Sequence, residues 1–164
     1  MNQIYNHQMT LKLIKAFEGC SFVPYMCPSE RWTIGYGHTI FRQGRQLKGE
    51  ADKPLAYVTY PEPITQEQAD GFLEQDISHV VEDILKYVQV PLTKNQLSAL
   101  ASFVFNIGIG AFSRSTLLKK LNASDYNSVP SELNRWIKAG GKPLKGLIKR
   151  RRIEGQVWQQ KDVE

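Results

Sequence analysis

The chain is short of cysteine and has no metal-binding pattern. Its 164 residues include only two cysteines, Cys20 and Cys27. Two cysteines do not form a disulfide framework, and no spacing of cysteine and histidine is typical of a zinc site. We therefore expect two reduced thiols, one of them buried, and neither a metal nor a cofactor.

Long hydrophobic runs and terminal targeting signals are also missing. The longest apolar-rich stretch, Ser98 to Phe112, is shorter than the roughly 20 residues that a membrane-spanning helix needs. The first residues, MNQIYNHQMTLKLIK, lack the apolar block of a signal peptide. The sequence therefore predicts a soluble protein without a signal peptide or a transmembrane segment, made in the cytoplasm.

Acidic residues are absent from one segment of the chain. Between Arg135 and Arg152 there are eight basic residues and no acid, and these basic residues exceed the whole net charge of +5. Such a strip is typical of a surface that faces anions. Nucleic acid, a membrane surface, an acidic polymer and plain solvent are all compatible with it.

A first helix is predicted from Leu11 to Glu18. Thr10 suits its N-cap, and Gly19 stands where a left-handed C-cap belongs. At the helix C-terminus the dipole disfavours a negative charge on Glu18, and neighbouring aromatic residues would add desolvation. Both effects favour a carboxyl that keeps its proton, as a general acid must. The alternative is an ordinary solvated glutamate at a helix end.

The segment after this helix alternates as strands do. The run RWTIGYGHT follows the turn PSER and predicts a β-hairpin with Trp32, Ile34 and Tyr36 on one face. Residues 41–63, with scattered glycines, prolines and charges, predict only a loop or an irregular hairpin.

Two capping boxes mark the helices of the second half. Thr65 with Gln68 opens a long helix, and Thr93 with Gln96 opens a second, more buried one. Shorter helices are predicted at residues 116–121, 131–138 and 144–160. Together the patterns predict one α+β domain, mostly α, over residues 1–164, with a small β lobe at 10–64, a connecting helix at 65–90 and a helical lobe at 91–160.

The spacing of three residues carries the functional argument. Glu18 is followed after eight residues by Cys27, after five more by Thr33, and then by IGYGHT. This pattern resembles the catalytic signature of the phage-type lysozymes, or endolysins (glycoside hydrolase family 24), in which Asp or Cys holds the second position. QLSALASFVFNIGIGAFSRSTLLKKLN and ELNRWIKAGGKPLKGLIKRRRIEGQVW resemble two further blocks of that family, in the same order. The likeness covers most of the chain, except residues 41–63.

The resemblance implies a lysozyme-like fold and a lytic activity. Members of the family cleave the β-1,4 bond between N-acetylmuramic acid and N-acetylglucosamine in bacterial peptidoglycan. By that resemblance Glu18 is the general acid, Cys27 takes the carboxylate position, and Thr33 holds the water or orients the sugar.

A thiol at the carboxylate position poses a chemical problem. A free cysteine is thiolate to only about a few per cent at neutral pH, and a nearby Glu18 carboxylate would raise the pKa of Cys27 further. Two mechanisms stay open. Either Cys27 and Thr33 position a water that attacks with inversion, which the family favours, or Cys27 attacks directly with retention. Cys20 is expected to be a packing residue; the alternative is a pair with Cys27 in an oxidising compartment.

Six further residues are candidates for substrate binding, three of them in the hairpin. Gly35 and Gly37 allow close backbone approach or unusual turns, and the resemblance favours the cleft side for them. Gly35 and the neighbouring Tyr36 are taken as candidates. His38 is expected to contact sugar or pair with Glu18, or else to be a structural histidine.

The other three candidates lie in the helical part. Asn106 would bind an N-acetyl group, or else cap its helix. Trp136 would stack on a sugar ring, although a core position is favoured, as it is for Trp158. Arg150 is the basic residue expected to reach Glu18.

The expected partner is bacterial peptidoglycan, with no nucleic acid and a monomeric chain. The basic strip has three interpretations: a solvated helix face, a surface for peptidoglycan carboxylates, or one for outer-membrane phosphates. Family analogy places the chain in the host cytoplasm until a separate membrane-perforating protein releases it to the periplasm. The competing functions are a lytic transglycosylase, which forms an anhydro-sugar without water, and a non-catalytic module that binds peptidoglycan or nucleic acid.

Overall fold

The structure is a computed structural model that describes residues 5–162. These residues divide into two compact units, with boundaries after Phe17 and after Asp76. We call residues 18–76 the hairpin unit, and residues 5–17 with 77–162 the helical unit. The helices dominate and the β-strands are short, as the sequence predicts.

Helix α1, His7–Phe17, begins earlier than predicted. Asn6 Oδ1 accepts a hydrogen bond from the backbone N–H of Met9 at 3.1 Å, as an N-cap side chain does. Thr10 is buried inside the helix, and its hydroxyl donates to the Asn6 carbonyl at 2.8 Å. Thr10 as N-cap is therefore wrong. Gly19 as a left-handed C-cap is also wrong, because its φ is not positive.

A three-stranded antiparallel sheet forms the start of the hairpin unit. Its strands are β1 (Ser21–Met26), β2 (Trp32–Gly35) and β3 (His38–Thr39), in that order. Thr33 pairs with Tyr25 on one side and with Thr39 on the other. The predicted hairpin is therefore confirmed, and its register is fixed at the turn.

Residues 41–63 contain more structure than the sequence predicts. Strands β4 (Phe41–Arg42) and β5 (Arg45–Gln46) form the irregular hairpin, but a 3₁₀ turn and helix α2 (Lys53–Thr59) follow. The prediction of loop or hairpin alone is wrong for α2. Only Ala56 of this helix is buried, so it has no apolar stripe, and Pro54 lies in its first turn, where proline is tolerated.

The core of the hairpin unit lies between the sheet and the helices of that unit. Trp32 and Ile34 are buried on one face as predicted, while Tyr36 packs against the same cluster but stays partly exposed. The indole N–H of Trp32 donates to the Gly49 carbonyl at 2.8 Å. The remaining buried members are Ile40, Leu47, Ala56, Ile64 and Ala69.

The long helix α3 runs over Gln66–Tyr87. Its capping box is formed: Thr65 N–H donates to Gln68 Oε1 at 2.8 Å, and Gln68 N–H donates to Thr65 Oγ1 at 3.1 Å. The boundary between the two units falls within this helix, after Asp76. Both the predicted capping box and the predicted long helix are confirmed.

Helix α4 forms the centre of the helical unit. It spans Lys94–Ile107 and begins with the predicted Thr93–Gln96 capping box. Its buried face packs against α1 and α8. The other elements are α5 (Ile109–Ser113), α6 (Thr116–Asn122), α7 (Val129–Leu133), β6 (Lys138–Ala139), β7 (Lys142–Pro143) and α8 (Lys145–Gln159).

The predicted helix over residues 131–138 is wrong in its limits. Helix α7 ends at Leu133, and the chain then enters the short hairpin of β6 and β7. Two glycines in the left-handed region, Gly140 and Gly141, make the turn of that hairpin. Trp158 is buried in the core of this unit, as predicted.

The basic strip is not one continuous surface. Arg150 and Arg151 are buried, with 3% and 1% of their surface exposed. The six other basic residues of the strip remain exposed: Arg135, Lys138, Lys142, Lys145, Lys149 and Arg152. The strip therefore combines two buried cations with a separate set of surface cations.

Within residues 5–162, no helix is long and apolar enough to cross a bilayer. The single-domain organisation over residues 1–164 stays a prediction, and its first four and last two residues lie outside the described part of the chain.

Candidate active site

A tight turn between β1 and β2 brings three reactive side chains to one face of the hairpin. Tyr25 lies directly opposite Thr33 in the sheet, and Cys27 follows Tyr25 by two residues, on the same side of an extended strand. The turn is closed by hydrogen bonds from Glu30 N–H to the Cys27 carbonyl at 2.8 Å and from Cys27 N–H to the Arg31 carbonyl at 2.9 Å. The backbone thus fixes Cys27 and Thr33 relative to each other.

The Cys27 thiol is more acidic than expected. Its burial raises the pKa, but hydrogen bonds from the Ser29 side chain, from the Arg31 and Ser29 backbone and from the Thr33 side chain lower it more, and the net pKa lies below the ordinary value. The Sγ atom lies 3.0 Å from Ser29 Oγ. The expectation that Cys27 has a raised pKa is therefore wrong, because the turn supplies hydrogen bonds that the sequence pattern did not reveal.

Thr33 is buried, with 4% of its surface exposed, and its hydroxyl is oriented. Its Oγ1–H donates to the Arg31 carbonyl at 3.0 Å. Because that bond uses the hydroxyl hydrogen, the oxygen is left to act as an acceptor. Thr33 is therefore arranged to accept a hydrogen bond from a molecule such as water.

Glu18 follows the last residue of α1 and is partly buried. Its charge acts on Tyr25: burial raises the pKa of Tyr25 most, and the charges of Glu18, Cys27 and Cys20 raise it further. These groups therefore lie near enough to Tyr25 for their charges to act on it. The structure brings Glu18, Cys27 and Thr33 together in the hairpin unit, around a tyrosine that the sequence reasoning missed. Its spacing of two residues from Cys27 was the available signal.

Cys20 is exposed, and Cys27 is partly exposed; both are free thiols. The expectation that one of the two cysteines is buried is therefore wrong, because neither is. Cys20 as a packing residue is also wrong, because its side chain lies at the surface.

His38 has a partner other than Glu18. Its Nδ1 lies 2.8 and 3.0 Å from the two carboxylate oxygens of Asp76, and its ring stacks on Phe72 with centroids 4.4 Å apart. These contacts favour the structural interpretation of His38, and its contact with sugar or with Glu18 stays a prediction.

Gly35 and Tyr36 both contact helix α3. Gly35 has a φ of +66°, which strains any other residue, and a Cβ built there would make ordinary contact with Ala69 Cβ at 3.6 Å. The Tyr36 hydroxyl accepts a hydrogen bond from Gln66 Nε2 at 3.0 Å. The glycine is therefore explained by its backbone conformation, and the place of both residues on a substrate cleft stays a prediction.

The three helical candidates belong to a cluster around Glu154, which we call the buried acid cluster. Glu154 has no exposed surface, and its carboxylate accepts from Arg151 Nη1 and Ser102 Oγ, both at 2.6 Å, and from Arg150 Nε at 3.3 Å. Arg150 also donates to the Ser102 carbonyl at 2.9 Å and lies over the Phe17 ring at 5.2 Å. Its role towards Glu18 stays a prediction.

Asn106 and Trp136 are tied to the same cluster through Arg151. Arg151 Nη2 donates to Asn106 Oδ1, and Arg151 Nε donates to the Trp136 carbonyl at 2.9 Å. Gly108, with φ of +86°, caps α4, so Asn106 as the helix cap is wrong. Trp136 packs edge-on against Phe103 at 5.8 Å and stays partly exposed. Substrate contacts for both residues stay predictions.

No group of three or more His, Cys, Asp or Glu side chains among residues 5–162 has an arrangement that could hold a metal ion.

Comparison with known proteins shows the family. The phage lysozyme family model matches residues 15–154. The chain is 45% identical over 148 residues to an endolysin of Acyrthosiphon pisum secondary endosymbiont phage 1, covering 88% of this chain and 90% of the relative. It is 35% identical over 151 residues to a SAR-endolysin of Escherichia phage Mu, covering 92% of this chain and 79% of the relative.

A solved structure supports the same assignment. The muramidase domain of SpmX from Asticaccaulis excentricus superposes with a TM-score of 0.77 at 32% identity, covering 98% of this chain and all of the domain. These likenesses confirm the predicted lysozyme-like fold and the predicted enzyme class, a glycoside hydrolase of the endolysin type. The chain belongs to the phage lysozyme family.

Proposed function

We propose that this chain is an endolysin muramidase that hydrolyses the β-1,4 bond between N-acetylmuramic acid and N-acetylglucosamine, and so lyses the bacterial host. Peptidoglycan is the substrate that membership of the family implies. The observation that supports the proposal is that the charges of Glu18 and Cys27 both act on Tyr25, while Thr33 pairs directly with Tyr25 in the sheet. A glycosidase needs an acid and a group that directs the nucleophile, and these residues are of the types that supply both.

Glu18 is the general acid in this proposal. Its carboxyl gives a proton to the glycosidic oxygen as the bond breaks, so that the leaving sugar departs as a neutral alcohol. The partial burial of Glu18 next to Tyr25 limits its contact with bulk water.

Cys27 and Thr33 direct the attacking water. The Thr33 oxygen accepts one hydrogen of the water, since its own hydrogen is held by Arg31. Cys27, as a thiolate, accepts the other hydrogen and takes up the proton as the new C–O bond forms. Attack then comes from the face opposite the leaving group and inverts the anomeric centre.

The decisive experiment replaces Glu18 by glutamine, which keeps the shape and removes the proton. The rate of turbidity loss of permeabilised Gram-negative cells should fall by about 100-fold or more, because general acid catalysis contributes about 10²–10⁴. Glu67→Gln is the matched control, since Glu67 is an exposed residue in the first turn of α3. Lysis by Glu18→Gln at the wild-type rate would contradict the proposal.

The same digestion separates hydrolysis from the transglycosylase alternative. A hydrolase adds one water to each cut, whereas a transglycosylase leaves an anhydro-sugar that is lighter by that water. The acceptor oxygen of Thr33 and the sulfur of Cys27 favour the hydrolase, because a transglycosylase has no water to hold.

The surface cations define the proposed secondary partners. Lys145, Lys149 and Arg152 are exposed along α8 at a spacing that places them on one face. We propose that this face attracts outer-membrane phosphates, and that the chain is a monomer without affinity for nucleic acid. The chain is held in the host cytoplasm until a membrane-perforating protein releases it to the periplasm.

A further inference from the structure

Ser29 is the residue on which the chemistry of Cys27 depends most directly. It is exposed, it lies in the turn between β1 and β2, and its Oγ atom is 3.0 Å from Cys27 Sγ. The hydrogen bond from Glu30 N–H to the Cys27 carbonyl closes the turn and so holds Ser29 near Cys27. The contact therefore belongs to the built geometry of the turn.

We propose that Ser29 is a positioning residue that donates its hydroxyl hydrogen to Cys27, and so keeps Cys27 as a thiolate aimed at the face that carries Thr33. This inference rests on the proposed function, in which Cys27 accepts a hydrogen from the attacking water. A carboxylate at this position would be charged at neutral pH by itself, whereas the thiol needs the hydrogen bond from Ser29 to become charged.

A thiolate has no hydrogen to give, so in the proposed state the Ser29 hydroxyl is the donor of its 3.0 Å contact with Cys27. The Thr33 side chain also lowers the pKa of Cys27, but it is the last of the causes in that direction, and its hydroxyl donates to the Arg31 carbonyl at 3.0 Å. The Cys27 sulfur is the side-chain partner that Ser29 has among the described residues. A donor bonded to the charged form of an acid stabilises that form.

Burial opposes a thiolate at Cys27, and hydrogen-bond donors offset it. Glu18 and Cys20 lie in the same region, since the charges of both, with that of Cys27, act on Tyr25. Glu30 and Arg31, in the same turn, are exposed and carry opposite charges. The pKa of Cys27 is nevertheless lowered, with the Ser29 side chain as the largest cause in that direction.

The consequence is a defined pH dependence. The thiolate is present above the pKa of Cys27 and is lost as the pH falls through it. Removing the Ser29 hydroxyl raises that pKa, so the thiolate and the activity that depends on it should appear only at higher pH.

The test measures the Cys27 thiolate without using catalysis. In a Cys20→Ser background Cys27 is the only thiol, and its rate of alkylation by iodoacetamide, followed by intact mass, is measured against pH. Ser29→Ala should move the midpoint upward by about one pH unit, which is about a tenfold lower thiolate fraction below the midpoint. Ser29→Thr should restore the midpoint, because it keeps a hydroxyl.

Ser21→Ala is the matched control. The Ser21 hydroxyl donates to the Val23 carbonyl at 2.7 Å and has no contact with the sulfur, so its loss should leave the midpoint in place. In the same variants, the acidic limb of the lysis-rate profile should shift with the alkylation midpoint.

Two results would overturn the inference. The first is an alkylation midpoint that Ser29→Ala leaves unchanged. The second is a midpoint that moves while the lysis profile does not, since Cys27 would then be charged without a use for the charge. Failure of the proposed function has a different sign, which is a Glu18→Gln variant that still lyses cells. The two failures can be told apart because the alkylation measurement needs no turnover.

Discussion

The turn between β1 and β2 and the buried acid cluster both contain hydrogen-bonded polar groups, but the two regions differ in how far those groups are satisfied and exposed. In the turn, Cys27 and Thr33 each have a hydrogen-bond partner within the protein, yet Cys27 is partly exposed and Thr33 keeps a free acceptor capacity. In the cluster, both carboxylate oxygens of Glu154 are bonded and none of its surface is exposed.

The difference shows what separates a reactive acid from a structural one. A group that does chemistry needs hydrogen-bonding capacity that the fold leaves unused, together with access for substrate. A buried charge instead needs every lone pair satisfied, because an unpaired one is costly. Among residues 5–162, no buried side-chain nitrogen or oxygen lacks a partner, which places Glu154 on the structural side.

The largest expected effect comes from the cluster. Glu154→Gln removes the carboxylate that accepts from Arg151 Nη1 at 2.6 Å and from Arg150 Nε at 3.3 Å, and so breaks a buried charge pair. The free energy of unfolding should fall by about 3–5 kcal/mol. The measurement is the urea midpoint with its slope, compared with that of the exposed control Glu67→Gln, which should change stability by less than about 0.5 kcal/mol.

The comparison would break if Glu154→Gln were as stable as the wild type but inactive. Glu154 would then belong to the reaction, and burial with full hydrogen bonding would not distinguish the two regions.

A smaller effect is expected from the turn, and on activity instead of stability. Cys27→Ser replaces an acidic thiol by a neutral hydroxyl that still binds water, so kcat should fall by about tenfold, or about 1.4 kcal/mol. Stability should hardly change, because Cys27 is partly exposed. Rates of lysis test the expected loss of activity, and urea midpoints measured on the same variant test the expected unchanged stability. Complete loss of activity at unchanged stability would instead favour a covalent role for the thiol.

Local signals in the sequence were enough for much of the fold. The capping boxes at Thr65 and Thr93 and the hairpin at Trp32 are short-range patterns, and each forms as predicted. Helix α2 was missed because it buries only Ala56 and so has no periodic apolar stripe. Thr10 failed as a cap because Asn6, four residues earlier, competes for the same role.

The members of the candidate site stay a prediction, and its electrostatics were not predictable from the sequence. The pattern indicated a hairpin that carries Cys27 and Thr33, whereas the pKa of Cys27 depends on where Ser29 points within a tight turn. The sequence likewise shows Arg150 and Arg151 only as part of a basic run. Their burial depends on the distant Ser102 and on Glu154, and contacts of that range leave no local pattern.

The most direct test of the central claim is the configuration of the first sugar released. Freshly cleaved peptidoglycan fragments can be followed by proton NMR before the anomers equilibrate. Attack by a water held at Cys27 and Thr33, with Glu18 protonating the leaving oxygen, predicts the α-anomer as the first product. A first-formed β-anomer would contradict the account, because it requires two successive displacements and a covalent intermediate.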